Sequence, residues 1–487
     1  MKVLTCAQIK YVEKMAADNG RFSYEDMMEK AGAAVFYEIS KRVDIDAKRI
    51  LLITGPGNNG GDAIVAADLL RNAGADVELY FPLGAPSAQT AKNVYNSINT
   101  LPVCNEIIDQ YDIYIDALFG IGFNRGLTPE IITLLEKINA KQGFKVAIDL
   151  PSGVYCDGGM AEIAFRADIT VTFIGYKLCH LLPPTASFCG EVILNNLGIE
   201  IMKNFSYEII DKPDIVVPDS NSHKGTFGTA LLFCGSYGMC GAQILSARAA
   251  ITSGAGIVKC IVCDKNYAAF TQAVPEAVTI PVETSSDGAP LLNDNIIITA
   301  LNGSSALLIG CGIGRTKEAK SITRKMLQLS EIPVVLDADG INAIDDDINI
   351  LRSVKAPLIL TPHPGEMGRL LGVETYKIES NRIYYAKEFS IKYKCVLVLK
   401  GANTIVAAPN GELFFNITGN YGMGKGGSGD VLSGIITALL ANGCDAVKAA
   451  KTAVYVHGRA GDNAAERYTK RTMLPSDIIR ELKHIEF

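Results

Sequence analysis

The feature that most constrains this chain is a repeated succession. A short apolar run leads into a glycine-rich polar turn, and a stretch with helical spacing of apolar residues follows. Arg49–Thr54 is one such run, Gly55-Pro56-Gly57-Asn58-Asn59-Gly60-Gly61-Asp62 is its turn, and Ala63–Ala73 and Val77–Phe81 continue as helix and strand. Short apolar runs bounded by turn residues read as buried strands. Their alternation with helices implies a mostly parallel sheet with both faces covered. Further strands are expected at Ile113–Asp116, Lys145–Ile148 and Ile169–Phe173, with helices over 4–19, 24–42 and 130–140. The alternation resumes later, with strands expected at Thr229–Cys234, Ile257–Cys263, Ala306–Ile309, Val334–Leu336, Leu358–Thr361 and Val396–Leu399. Helices are expected over 243–253, 316–328 and 380–391. Between the two series, 204–218 is short, mixed and carries Pro213 and Pro218, and reads as a linker. Two α/β domains are therefore expected, 1–212 and 218–487, the first doubly wound.

Bulk properties exclude several classes. A net charge of −6 with no basic run argues against nucleic acid as a partner. No apolar core follows Met1, and no apolar run reaches membrane-spanning length. The 12 cysteines are scattered, and the lone C-x-x-C, Cys260 to Cys263, lies in a strand pattern that sends the two thiols to opposite faces. Free buried thiols in a reducing cytoplasm are expected, not a zinc site.

The polar chemistry falls where strands end. In the first half, Asn58, Asn59 and Asp62, then Asp116, then Asp149-Leu-Pro-Ser152-Gly153, follow three strands whose ends converge in a doubly wound sheet. Asn59, Ser152 and Asp116 offer two neutral oxygens and one charged one, a set that suits K⁺ better than zinc. Gly120-Ile121-Gly122-Phe123-Asn124-Arg125-Gly126 is a second glycine turn, in which Arg125 offers a cation to a phosphate. The glycine spacing in 55–61 is not that of a dinucleotide fingerprint, so hydride transfer has weak support.

In the second half the strand ends carry Gly310-Cys311-Gly312-Ile313-Gly314, Asp337 and Asp339, His363-Pro-Gly-Glu366, and Lys400-Gly401-Ala402-Asn403-Thr404. The densest turn is last: five glycines occupy the eight residues before Asp430, and an apolar helical pattern begins there. Free N–H groups in a helix's first turn favour an anion. A carboxylate at the lip of such a cradle would repel phosphate unless it accepts a proton from a hydroxyl attacking phosphorus.

These motifs carry a resemblance. Residues 1–210, through the loop 55–62, Asp116-Ala-Leu-Phe-Gly120 and Ile148-Asp149-Leu-Pro-Ser-Gly153, resemble the epimerase domain of the NAD(P)H-hydrate repair enzymes. The resemblance implies a Rossmann-like fold, K⁺ held by Asn59, Asp116 and Ser152, and Asp149 as the catalytic acid/base. It also implies contact with the damaged nucleotide from Asn58, Asn59, Gly60, Gly61, Asp62 and from Gly120–Gly126. Ala63 stands where that family usually has Gly. Residues 218–487, through Gly241-Ala242, the glycine turn 310–314, His363-Pro-Gly-Glu366, Lys400–Thr404 and Gly426-Gly-Ser-Gly-Asp430, look like the ribokinase-type NAD(P)H-hydrate dehydratases. The resemblance implies that Ala242, Gly312, His363 and Asp430 line the hydrate site. It also implies that Lys400, Gly401, Ala402, Asn403, Thr404 and Gly429 hold the adenine nucleotide. Tyr421 and Gly340 depart from that pattern, where Pro and Ala are common.

So read, the chain epimerises R and S forms of hydrated NADH and NADPH (NADHX, NADPHX). It then dehydrates the S form at the expense of ADP, with Mg²⁺. The order epimerase then dehydratase resembles the microbial fusion, which favours ADP over ATP, and a homo-oligomer is expected. Two other readings stand beside it: a kinase whose product is a stable phosphate ester, and a first domain that senses a nucleotide without turnover.

Overall fold

A computed structural model describes residues 1–98, 100–107, 110–201, 205–213 and 221–487. It divides into two compact units, Met1–Phe205 and Ser206–Phe487.

The first unit is built on seven strands: β1 Arg49–Thr54, β2 Asp76–Tyr80, β3 Val103–Cys104, β4 Ile113–Ala117, β5 Phe144–Ile148, β6 Ile169–Phe173 and β7 Glu191–Asn195. Their order is β3-β2-β1-β4-β5-β6-β7, and every pairing is parallel. The order reverses between β1 and β4, the switch point at which doubly wound sheets bind ligands. Alternation sends neighbouring residues of β1 to different cores. Leu52 packs with the helices Cys6–Asp18, Tyr24–Ser40 and Asn58–Asn72, whereas Leu51 and Ile53 pack with Tyr114 and Pro129–Ala140. Both faces are covered, which is why the strands read as unbroken apolar runs.

The helix after β1 starts at Asn58, not at Ala63, with Gly57 as its N-cap. The polar motif is therefore the helix's first turn. Glycine is required there by close approach: a Cβ on Gly55 would lie 1.9 Å from the Leu118 carbonyl oxygen, and one on Gly60 would lie 2.1 Å from that of Gly55.

The second unit has ten strands: β8 Tyr207–Ile209, β9 Thr229–Phe233, β10 Ile257–Cys263, β11 Val278–Val282, β12 Ala306–Ile309, β13 Val334–Leu336, β14 Leu358–Leu360, β15 Val396–Leu399, β16 Ile405–Ala407 and β17 Leu413–Phe415. Their order is β11-β10-β9-β12-β13-β14-β15-β16-β17-β8. Pairing is parallel from β11 to β15, antiparallel through β16 and β17, and parallel again at β8. The most buried helix, Ser428–Ala441, is apolar almost all round and shares a core with Cys240–Thr252, Ala446–Tyr468 and Pro475–Leu482. Cys260 and Cys263 are both buried, and all twelve cysteines are free.

The expected linker, 204–218, needs correction at its start. Tyr207–Ile209 pairs with β17 in register, so these residues close the second sheet's edge and the boundary falls at 205/206. Residues 214–218 and Asn204 of that linker lie outside the described residues. No helix among the described residues is long and apolar enough to cross a membrane.

Candidate active sites

At the switch point of the first sheet lies a cleft of about 530 Å³. Its lining includes Asn58, Asn59, Asp62, Gly120, Ile121, Gly122, Phe123, Asn124, Arg125 and Asp149. Gly60, Gly61 and Gly126 are not on it. Gly60 packs on the Gly55 carbonyl and Gly61 on Met28, so these glycines let the helix approach its neighbours.

Asp149 follows β5 in a left-handed conformation, φ 67°, which a residue with a side chain adopts readily only where its surroundings hold it. The surroundings are visible. Its Oδ1 accepts from Lys177 Nζ, from Thr172 Oγ1 at 3.1 Å and from Phe173 N at 3.4 Å. Lys177 is fully buried, and its ammonium also donates to Thr172 Oγ1 (2.6 Å) and Phe173 O (2.9 Å). His180 accepts the Lys177 N–H on Nδ1 at 3.1 Å, which fixes the neutral tautomer with its proton on Nε2. That proton is donated to the Asp149 carbonyl at 3.0 Å. Burial, then the Lys177 charge, lowers the His180 pKa to about 3, so the ring stays neutral.

Two further carboxyls share this field. Burial, then the Asp149 charge, pushes Glu13 up to about 7, against the pull of Lys177 and Lys10. The same causes, with Glu13 added, raise Asp62 well above the usual carboxylate range. Sequence reasoning missed Lys177, Glu13 and His180. Lys177 alone left a signal: a lysine just beyond an apolar strand, in the run Phe173-Ile-Gly-Tyr-Lys-Leu-Cys179.

Beneath the cleft, Asp116 is buried and accepts from Ser152 N (2.6 Å), Ser152 Oγ (2.7 Å) and Leu118 N (3.2 Å). Phe119 N donates to Ser152 Oγ at 3.0 Å, and Asn59 Nδ2 to Phe119 O at 3.0 Å. Burial raises Asp116 to about 6 although these donors hold it down. Every one of those donors is neutral, and the Asn59 amide spends its nitrogen on Phe119 and keeps its oxygen. A buried carboxylate, an amide oxygen and a hydroxyl at one strand-end corner fit a hard monovalent cation.

The second unit holds a cleft of about 960 Å³ at the carboxyl ends of β13, β14 and β15. Asp337, His363, Lys400, Gly401, Ala402, Asn403, Thr404, Gly429 and Asp430 all line it. Ala242 and Gly312 lie beside each other but off the lining: a Cβ on Gly312 would stand 3.0 Å from Ala242 Cβ. The intervening Cys311 thiol sits 3.8 Å from Asp337 Oδ2.

Asp337 anchors the site. Its Oδ1 accepts from Lys400 Nζ at 2.8 Å and its Oδ2 from Ser433 Oγ at 2.7 Å. Burial raises this carboxyl, but Lys400 and the hydroxyl donors outweigh it and hold Asp337 low. Lys400 is raised, burial notwithstanding, by Asp337 and Glu366. Asp430 is pushed up to about 7 by burial, then by the Asp337 charge, against the pull of the Cys311 thiol and Lys400. It occupies the first turn of Ser428–Ala441, whose N-cap, Gly427, has φ 101°. A Cβ on Gly429 would come 3.4 Å from Lys400 Nζ, so the glycine leaves that ammonium open to an anion.

His363 has a structural duty here. Its Nδ1 accepts from Gly365 N (3.0 Å) and Glu366 N (3.3 Å), capping Pro364–Leu371, while His363 N donates to Glu366 Oε2 at 2.9 Å. The loop 400–404 is held from behind by Arg382, which sequence reasoning missed. Its guanidinium donates to the carbonyls of Ala402 (2.7 Å), Leu399 (3.1 Å) and Asn403 (3.3 Å).

Comparison with known proteins places both halves of the chain in one lineage. Residues 24–179 match the family profile described as YjeF-related protein N-terminus, and residues 230–484 that described as NAD(P)H-hydrate dehydratase. A bifunctional NAD(P)H-hydrate repair enzyme of Moorella thermoacetica is 32% identical over 516 residues, spanning 100% of this chain and 96% of that one. Its Escherichia coli counterpart is 32% identical over 497 residues, spanning 98% and 92%. Among solved structures, a ribokinase-like superfamily protein from Enterococcus faecalis is 28% identical with a TM-score of 0.50. It covers 58% of this chain and 97% of that one, in keeping with a ribokinase-like second unit. The chain belongs to the family of bifunctional NAD(P)H-hydrate repair enzymes.

Proposed function

We propose that the first unit interconverts the R and S epimers of hydrated NADH and NADPH, and that the second dehydrates the S epimer with ADP as phosphoryl donor. One observation carries the reading: within this family's chain, Asp430 is a carboxyl poised near neutrality at a helix N-terminus, beside the Lys400–Asp337 pair. A hydroxyl on the hydrated ring is a poor leaving group. Asp430 takes its proton, and the oxygen attacks the β-phosphorus of ADP as AMP departs. The Gly426–Gly429 turn and Lys400 bind the phosphoryl charge as it moves. The C6–O bond then breaks with phosphate leaving, C5 loses a proton, and the double bond of the reduced nicotinamide is restored. Mg²⁺ would supply further neutralisation of that charge.

In the first cleft Asp149 serves as acid/base at the hydrated carbon, with Lys177, Thr172 and Phe173 N holding its Oδ1 and leaving Oδ2 for the ligand. K⁺ held by Asn59, Asp116 and Ser152 would offset the buried Asp116 charge and fix the loop that carries Gly120–Arg125. Arg125 and Lys10 offer cations to the nucleotide phosphates. The substrates are small molecules, and the free thiols suit a reducing cytoplasm.

The test is a coupled assay on mixed epimers, with ADP and ATP compared, with and without K⁺. Recovery of reduced nicotinamide from both epimers, with AMP formed stoichiometrically from ADP, is expected. A stable phosphorylated product without that absorbance would replace the dehydratase with a kinase.

A further inference from the structure

Inversion at one carbon sets a geometric demand that Asp149 alone does not meet. If the C6 hydroxyl departs from one face of the ring and returns on the other, proton transfer is needed at both faces. A carboxyl held by three donors on Oδ1 addresses one. A second proton-carrying group must face the same cleft, and the N-terminal helix Cys6–Asp18 brings one. Ile9, Lys10 and Glu13 from this helix all line the cleft.

The helix is fastened to the site rather than merely near it. Val3 bridges in parallel to Tyr176, with Leu4 N donating to Tyr176 O (2.8 Å) and Tyr176 N to Lys2 O (3.1 Å). That junction is adjacent in sequence to Lys177. Cys6 N donates to Asp157 Oδ1 at 2.7 Å, and its thiol contacts Ile121 O at 3.0 Å, on the glycine turn that lines the cleft. The Thr5/Gln8 capping box fixes the helix start. Ile9 and Val12 are buried in the core, which sets Glu13's rotation about the helix axis. The helix itself lies before residue 24, where the family profile match begins.

We propose that Glu13 is a second catalytic residue of the epimerase site, acting on the face of the hydrated nicotinamide ring opposite Asp149. The inference rests on the epimerase reading above. The Glu13 carboxyl donates its proton to the C6 hydroxyl oxygen. The C6–O bond breaks, its electron pair leaves on water, and the N1 lone pair closes a C6=N1 iminium. Water adds from the other face as the Asp149 carboxylate takes its proton, and the π pair returns to N1. One proton has then moved from Glu13 to Asp149. Asp62, raised by the charges of both, carries it back, and Lys177 remains the compensating cation. The reverse reaction uses the same groups in exchanged roles. With Glu13 near 7 the step draws on a protonated carboxyl at neutral pH, whose proton is favoured by burial and then by the Asp149 charge and opposed by Lys177 and Lys10.

The experiment uses the full chain and the purified R epimer. Glu13→Gln is expected to lower kcat for R-to-S interconversion about 100-fold with KM within about threefold of wild type. Glu13→Asp is expected to recover part of kcat. The wild-type rate is expected to fall as pH rises above about 7, and Glu13→Gln to lack that limb. Wild-type kcat in Glu13→Gln, or an unchanged pH profile, overturns the proposal. If Glu13→Gln fails to fold, Glu13→Asp decides: lowered kcat at unchanged KM supports the proposal, and wild-type kcat overturns it. A wild-type chain without interconversion above the spontaneous rate would instead overturn the epimerase reading itself, and Asp149→Asn measured alongside separates the two failures.

Discussion

Replacing Lys177 with Met tests how the first cleft is held. The methionine keeps roughly the volume of the lysine stem and removes the ammonium from a fully buried position. Three bonds are lost at once: to Asp149 Oδ1, Thr172 Oγ1 and Phe173 O. Removing one partner of a buried ion pair costs about 3–5 kcal/mol, because the remaining charge stays uncompensated. In a unit of about 200 residues each kcal/mol moves the melting temperature by about 2–4 °C, so a fall of about 10 °C is expected. The first unit's transition, followed by calorimetry, should move while the second unit's does not. R-to-S interconversion should drop at least about 100-fold, since Asp149 loses the donor that orients it. Dehydration of the S epimer should be unchanged. A Lys177→Met protein that melts with wild type and interconverts epimers within about threefold of wild type would refute the reasoning.

Arg382→Met removes the three carbonyl bonds behind the loop 400–404, and should raise the KM for ADP about tenfold while leaving epimerisation intact; an unchanged KM would show that the loop holds its own shape. Exchange of K⁺ for Li⁺, or Asp116→Ala, should lower epimerisation and spare dehydration, measured on separate epimers; equal loss of both activities would contradict a cation confined to the Asn59–Asp116–Ser152 corner. Dehydration should rise with pH through about 7 as Asp430 loses its proton. Because that carboxyl is raised in the folded chain, its contribution to stability falls as pH climbs from about 4 to about 7. Asp430→Asn should flatten this part of the stability profile, measured by urea unfolding at pH 5 and 8.

Much of the fold was legible because its strands are doubly buried. Ile169–Phe173, Ile257–Cys263, Ala306–Ile309, Val334–Leu336 and Val396–Leu399 stand where their apolar runs lie in the sequence. The three-residue strands at 207–209, 405–407 and 413–415 carry no period of their own and exist through pairing with one another and with β15. The helix Ala446–Tyr468 buries mostly small residues, alanine and glycine among them, so its inner face shows little contrast against its outer one. The catalytic candidates were legible because glycine turns at strand ends mark a crevice. The groups that tune them were not. Lys177 is 28 residues from Asp149, and Arg382 is 20 from Ala402. Such pairs have no local signature, because folding alone brings them together. At Gly60 and Gly61 the sequence is ambiguous, since close packing and ligand contact both call for glycine.

The most direct test of the account is Asp430→Ala in the purified full chain, given the S epimer, ADP and Mg²⁺, with reduced nicotinamide followed by absorbance and AMP counted in the same tube. Both signals should fall together by about 10²–10⁴-fold while R-to-S interconversion stays at wild-type rate. Recovery of the coenzyme at the wild-type rate would contradict phosphorylation through Asp430 and the mechanism built on it.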